Sequence, residues 1–163
     1  MHYFKQVFCC FACMLCVCFS LSGQLVAEEN KYATKDIEKF INDAKSFAVA
    51  NGKEAALKAF MDQDNKQFRM GSLYVFAEDF NGMNLAHIKP TIVGTNMIEL
   101  KDPNGITFIK NMSELAKSNP NGGWTEYMWQ NPMTKQLEKK YTFVISIDDN
   151  WWIGAGIYES EKK

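Results

Sequence analysis

The sequence predicts an α+β domain with helices packed on an antiparallel sheet, and three observations predict it. Apolar residues recur at helical spacing in three stretches. Five other short stretches are rich in β-branched and aromatic residues and are bounded by turn chemistry. The order is helix, helix, two strands, helix, three strands, in a chain of 163 residues that suits one domain and not two.

The chain opens on an export segment. Lys5 precedes an uncharged run from Val7 to Leu21, small or polar residues follow at Ser20, Ser22 and Gly23, and Leu25-Val26-Ala27 leads into Glu28-Glu29. One positive charge, an apolar stretch and small residues in that order read as a signal peptide over residues 1–27, leaving 28–163 as a single domain. The alternative is an uncleaved anchor from Val7 to Val26. With Lys5 on the cytoplasmic side, both readings put the folded part outside the cytoplasm. It is then periplasmic or secreted if the signal is cut, and membrane-anchored if it is not. Cys9, Cys10, Cys13, Cys16 and Cys18 all fall inside this segment, so the remainder can form neither a disulfide nor a thiolate metal site.

Each later element has its own signal. From Lys35 to Ala50, Ile37, Phe40, Ile41, Ala44, Phe47 and Ala48 share one helical face, and Asn51-Gly52 supplies the stop. A second helix, Lys53 to Met61, places Ala56, Ala59 and Phe60 together and ends at Asp62-Gln63-Asp64-Asn65. The run Leu73 to Ala77 and the run Met83 to Ile88 flank Asn81-Gly82, a strong hairpin signal. Pro90 stops the second strand, and Gly94 and Asp102-Pro103-Asn104-Gly105 mark loops. A helix from about Phe108 to Lys117 ends at Asn119-Pro120-Asn121-Gly122-Gly123. Strands Trp124–Gln130, Lys139–Ile147 and Trp151–Tyr158 close the chain, separated by Asn131-Pro132 and Asp148-Asp149-Asn150.

Composition narrows the function. The balance of 18 Lys+Arg against 19 Asp+Glu gives a net charge of −1, without the positive field that non-specific nucleic-acid binding needs, so no nucleic-acid partner is expected. His2 and His87 are the only histidines, and His2 leaves with the signal. A histidine metal centre is therefore excluded, and any histidine-based triad would depend on one residue. There is no phosphate loop, G-x-S-x-G elbow or HExxH pattern, and Gly154-Ala155-Gly156 is a bare G-x-G inside a strand. The expectation is a protein that is not an enzyme and carries no cofactor or metal.

Binding has better support. Period-two alternation sends Thr125, Tyr127 and Trp129 to one strand face and Trp124, Glu126 and Met128 to the other. Tyr74 and Phe76 likewise share a face, opposite Leu73, Val75 and Ala77. Aromatic rings with polar tips suit a small-molecule pocket, and they equally suit a core between sheet and helix. His87 is either a pocket donor or a strand-end histidine bonded to backbone. Lys140 either points inward or reaches water. Arg69, the only arginine, either clamps a carboxylate or braces the loop before the first strand.

Five segments, read in order, carry a resemblance. They are Gly71-Ser72-Leu73-Tyr74-Val75-Phe76, Leu85-Ala86-His87, Val93-Gly94-Thr95-Asn96-Met97, Gly123 to Pro132, and Ile153-Gly154-Ala155-Gly156-Ile157-Tyr158. From about Ile37 to Tyr158 the chain resembles the single Cache family, the extracytoplasmic sensor domains of bacterial chemoreceptors and histidine kinases. The resemblance implies a PAS-like fold, with a long amino-terminal helix packed behind a five-stranded antiparallel sheet whose other face encloses a ligand. It implies a small organic acid of the acetate, propionate, pyruvate or lactate class, or a similar metabolite. The pocket residues it implies are Tyr74, Phe76, His87, Trp124, Tyr127, Trp129 and Lys140, beneath loops from Lys89 to Asn104 that binding would order. Receptors of the family continue past the final strand, whereas Glu159-Ser160-Glu161-Lys162-Lys163 ends this chain. The expectation is a free-standing domain without an output region of its own, acting through a partner such as a membrane signalling protein. The alternative is an extracytoplasmic interaction module whose aromatics are all core.

Overall fold

The computed structural model describes residues 32–162. The signal-peptide reading of residues 1–27 lies outside the described residues. The architecture is two helices, a sheet, and a third helix with a long loop on the sheet's other face.

Helix α1, Thr34–Asn51, buries Ile37, Phe40, Ile41, Ala44 and Ala48, the face set by helical spacing. The Asp36 carboxylate accepts the Ala33 N–H at 2.9 Å and satisfies one free donor of the first turn. Gly52, at φ +82°, ends the helix and turns the chain directly into α2, Lys53–Met61, which buries Ala56 and Phe60.

Six strands follow: β1 (Arg69–Met70), β2 (Leu73–Asp79), β3 (Asn84–Ala86), β4 (Gly123–Gln130), β5 (Leu137–Ser146) and β6 (Trp151–Tyr158). Helix α3, Phe108–Ser118, lies between β3 and β4. The sheet is antiparallel throughout, in the order β1-β2-β6-β5-β4, with β3 also paired to β2. The five expected strands are all present. The sixth, β1, is a two-residue pairing of Arg69 with Tyr74 and Met70 with Leu73, too short to leave a periodic signal.

The two faces of the sheet bury different things. Leu73, Val75, Ala77, Ile153, Ala155 and Ile157 pack against α1 and α2. Tyr74, Phe76, Tyr127, Val144 and Trp152 face α3 and the loop before it. Trp152 donates its indole N–H to Ser113 Oγ at 3.1 Å and ties α3 to this second face. Gly154 also lies here: a Cβ on it would stand 2.6 Å from the Phe76 ring, so the missing side chain is what lets that ring approach β6 so closely.

The loop between β3 and α3 is held down over the second face by backbone bonds. Asn84 donates to Thr95 O at 2.9 Å, Gly94 to Asn84 O at 2.8 Å, and Met97 to Gly82 O at 2.7 Å. Gly82 permits this approach, because a Cβ there would come within 2.5 Å of Ile98 and its φ is +85°.

Candidate functional site

Between the sheet's second face and the loop lies a cleft of about 600 Å³. Tyr74 from β2, His87 just beyond β3 and Trp129 from β4 line its inner wall. Four cationic side chains line it too, Arg69, Lys89, Lys101 and Lys135, against one carboxylate, Asp102.

Asp102 does not offset those cations in any simple way. Its Oδ1 accepts the N–H groups of Asn104 at 2.9 Å and Ile106 at 3.0 Å, and its Oδ2 accepts that of Met128 at 3.0 Å. Desolvation raises the carboxyl, but the backbone donors of Met128, Ile106 and Asn104 together outweigh it and hold it below its ordinary value. Asp102 is therefore a staple that joins the loop to β4, and its charge is spent inward. The Asp-Pro-Asn-Gly sequence reads as a turn, and nothing local in it shows the reach to Met128.

A second, much smaller cavity of about 10 Å³ is lined by Phe76, Glu78, Asn84 and Tyr127 among others. That is room for a single water-sized group. His87, Phe108 and Trp129 line both spaces. Phe108 stacks on Tyr127 at 4.5 Å between centroids and meets Trp129 edge-on at 5.5 Å, while His87 meets Trp129 edge-on at 6.0 Å.

The His87 imidazole is fixed by its neighbours. Its Nδ1 accepts the Lys89 N–H at 2.9 Å, so the ring proton sits on Nε2, which lies 3.3 Å from the Tyr74 hydroxyl. Burial, and then the Lys140 and Lys89 charges, push its pKa down to about 3, so the ring is neutral. Both of its nitrogens are engaged, leaving no free lone pair to take a proton from a substrate. The two sequence readings of His87 are thus combined, for it bonds backbone and also lines the site. Burial pushes the Tyr74 hydroxyl up to about 12 and raises those of Tyr127 and Tyr158, so all three remain protonated donors.

Lys140 points inward. It is fully buried, with Nζ 4.0 Å from the Tyr74 ring centroid, 5.3 Å from that of Phe76 and 5.5 Å from that of Tyr158, and it has no hydrogen-bond partner. Burial lowers its pKa to about 7. Facing rings compensate part of the desolvation of an ammonium but supply no counter-charge. Lys140 lines neither cavity; it stands behind Tyr74 and Phe76.

Six of the seven expected residues thus gather on one face: Tyr74 at the cleft, Phe76 and Tyr127 at the inner cavity, His87 and Trp129 at both, and Lys140 behind them. Trp124 does not join them. Its indole N–H donates to Glu38 Oε1 of α1 at 2.8 Å and its ring packs on Phe143 at 5.4 Å. Strand alternation requires this, since the residues of β4 that face the cleft's side of the sheet are Thr125, Tyr127 and Trp129. Glu78 and Asn84 went unread as site residues. One further step of the same alternation past Phe76 leads to Glu78, and Asn84 is its partner across the hairpin. The Arg69 guanidinium has no ion-pair or hydrogen-bond partner among the described residues, and Arg69 lines the cleft. No group of three or more His, Cys, Asp or Glu side chains that could hold a metal occurs among them.

The chain matches the family model described as Single Cache domain 2 over residues 32–162. It is 37% identical over 87 residues to the sensor histidine kinase MctS of Rhizobium johnstonii, a match covering 52% of this chain and 18% of the kinase. The chain thus spans less than a fifth of that relative's length. Among solved structures, a methyl-accepting chemotaxis protein from Vibrio parahaemolyticus superposes with a TM-score of 0.66 at 22% identity, over 76% of this chain and 86% of the other. A Cache chemosensory domain described for carboxylic acid recognition superposes with a TM-score of 0.59 at 21% identity, over 77% and 87%. A periplasmic sensor domain of a chemotaxis protein gives 0.59 at 20% identity, over 77% and 89%. At these identities the likenesses speak to the fold, an N-terminal helix packed on an antiparallel sheet as in Cache sensor domains. No helix among the described residues is long and apolar enough to cross a membrane.

Proposed function

The chain belongs to the single Cache domain 2 family, and on that premise we propose that it is an exported sensor domain that binds a short organic acid of the acetate, propionate, pyruvate or lactate class. The observation that carries this reading is the charge lining the cleft: Arg69, Lys89, Lys101 and Lys135 face it, and its one carboxylate, Asp102, is saturated by backbone donors. An anion entering there loses hydration and gains cations and the Tyr74 hydroxyl. Lys140, one ring behind the wall, adds to the attraction where it keeps its proton, below about pH 7. The reading is not catalytic, because His87, the one histidine in the site, has both nitrogens engaged. Exchange of the ligand acts on the loop that Asp102 and Gly82 hold over the cleft, and that loop is the surface a signalling partner would read.

Calorimetric titration of the purified chain with acetate, propionate, pyruvate and lactate tests this. One site for at least one of these acids, weakened about tenfold or more in Arg69→Gln or Lys140→Met, is expected. Absence of binding across the four would overturn the ligand class.

A further inference from the structure

Glu78 and Asn84 sit opposite each other where the β2–β3 pairing shifts register, and each is 1% exposed. Asn84 Nδ2 donates to Glu78 Oε1 at 2.8 Å, which fixes the amide orientation and turns Asn84 Oδ1 away from the pair. Glu78 Oε2 and Asn84 Oδ1 are both buried and have no hydrogen-bond partner. Both residues line the inner cavity, whose remaining walls include Phe76, Ile92, Met97 and Ile109. No cation pairs with Glu78: among the described residues the ion pairs are Lys39–Asp43 and Lys139–Glu126, both at the surface. Two buried oxygens without partners thus belong to residues that line a space for one water-sized group; burial keeps the Glu78 carboxyl protonated near neutral pH, and a cation seated beside it would displace that proton. Buried polar atoms without partners are rare in native folds, which marks this pair as a place for a polar group.

Resting on the reading that the cleft takes the carboxylate of a short organic acid, we propose that the preferred acid is an amino-substituted one, whose primary ammonium group the inner cavity seats. Glu78 Oε2 and Asn84 Oδ1 hold it there while the carboxylate lies in the cationic cleft. The donor count selects the group. A hydroxyl has one hydrogen and satisfies one of the two oxygens, whereas an ammonium has three and, as the Glu78 proton leaves, offsets the carboxylate charge that remains. Its size matches a cavity of about 10 Å³. His87, Phe108 and Trp129, which line both spaces, then flank the carbon chain that joins the two ends of the ligand.

The test is calorimetry on matched acids with and without the amine, propionate against 3-aminopropionate and lactate against alanine, in the native chain and in Glu78→Gln. In at least one pair the amino acid is expected to bind about tenfold tighter or more. Glu78→Gln should bring that ratio near one while the acid without the amine still binds. If the acids without the amine bind as well as or better than their amino partners in the native chain, the ammonium site is wrong and the organic-acid reading survives. If no member of either pair binds, both readings fall. The native-chain comparison stands even where the variant fails to fold.

Discussion

Lys140 shows how a single residue can be destabilising and useful at once. Its ammonium is surrounded by rings and has no counter-ion, and burial lowers its pKa from 10.5 to about 7. In the unfolded chain the same side chain keeps its proton up to its ordinary value. Between about pH 7 and 10.5 the unfolded state therefore binds more protons, so this residue's contribution to stability rises with pH there, and its penalty is full below pH 7. Lys140→Met should stabilise the ligand-free protein by about 1–4 kcal/mol at pH 6, with the advantage shrinking toward pH 10 in thermal melts. An advantage independent of pH would refute an uncompensated charge. Glu78 works in the opposite sense, because desolvation raises its carboxyl from 4.5 to about 8. Its contribution is fully present below pH 4.5 and is lost as pH rises through about 8, so Glu78→Gln should flatten the fall in stability over that window. At this scale the sequence was partly legible. Alternation grouped Tyr74 with Phe76 and Tyr127 with Trp129, but whether Lys140 faces rings or water depends on which face of β5 it occupies, and no neighbour in sequence decides that.

At the scale of elements, the loop carries the site and two residues hold it. Asp102→Ala removes the acceptor of three backbone N–H groups and should destabilise the protein by about 1–3 kcal/mol. Faster hydrogen exchange at Asn104, Ile106 and Met128 should accompany it; unchanged exchange at Met128 would mean that the staple does not hold the loop. Gly154→Ala places a methyl 2.6 Å from the Phe76 ring. The ring must shift toward the inner cavity, costing about 1–3 kcal/mol and lowering the melting temperature. The helices and strands were legible because each obeys one period: α2 falls at the expected residues, α1 is longer by one residue at each end, and α3 by one at its C-terminal end. The two-residue β1 and the reach of Asp102 were not, since both depend on contacts with distant segments.

For the whole molecule, charge distribution matters more than charge. A chain with a net charge of −1 directs four cationic side chains to one cleft, and the acid among them is taken up by backbone. The resemblance to sensor domains was legible across most of the folded part because its segments keep their order along the chain, whereas the gathering of Arg69 with lysines far along the sequence appears only once the loop is folded over the sheet. Anion attraction of this kind weakens with ionic strength, since Lys89, Lys101 and Lys135 are exposed to solvent. The most direct measurement is calorimetry of propionate against propionamide, equal in shape and different in charge, at low and at physiological salt. The account predicts that the acid binds about tenfold or more tightly than the amide and that added salt narrows the gap. Equal affinity for the two, or no heat from either, would contradict it.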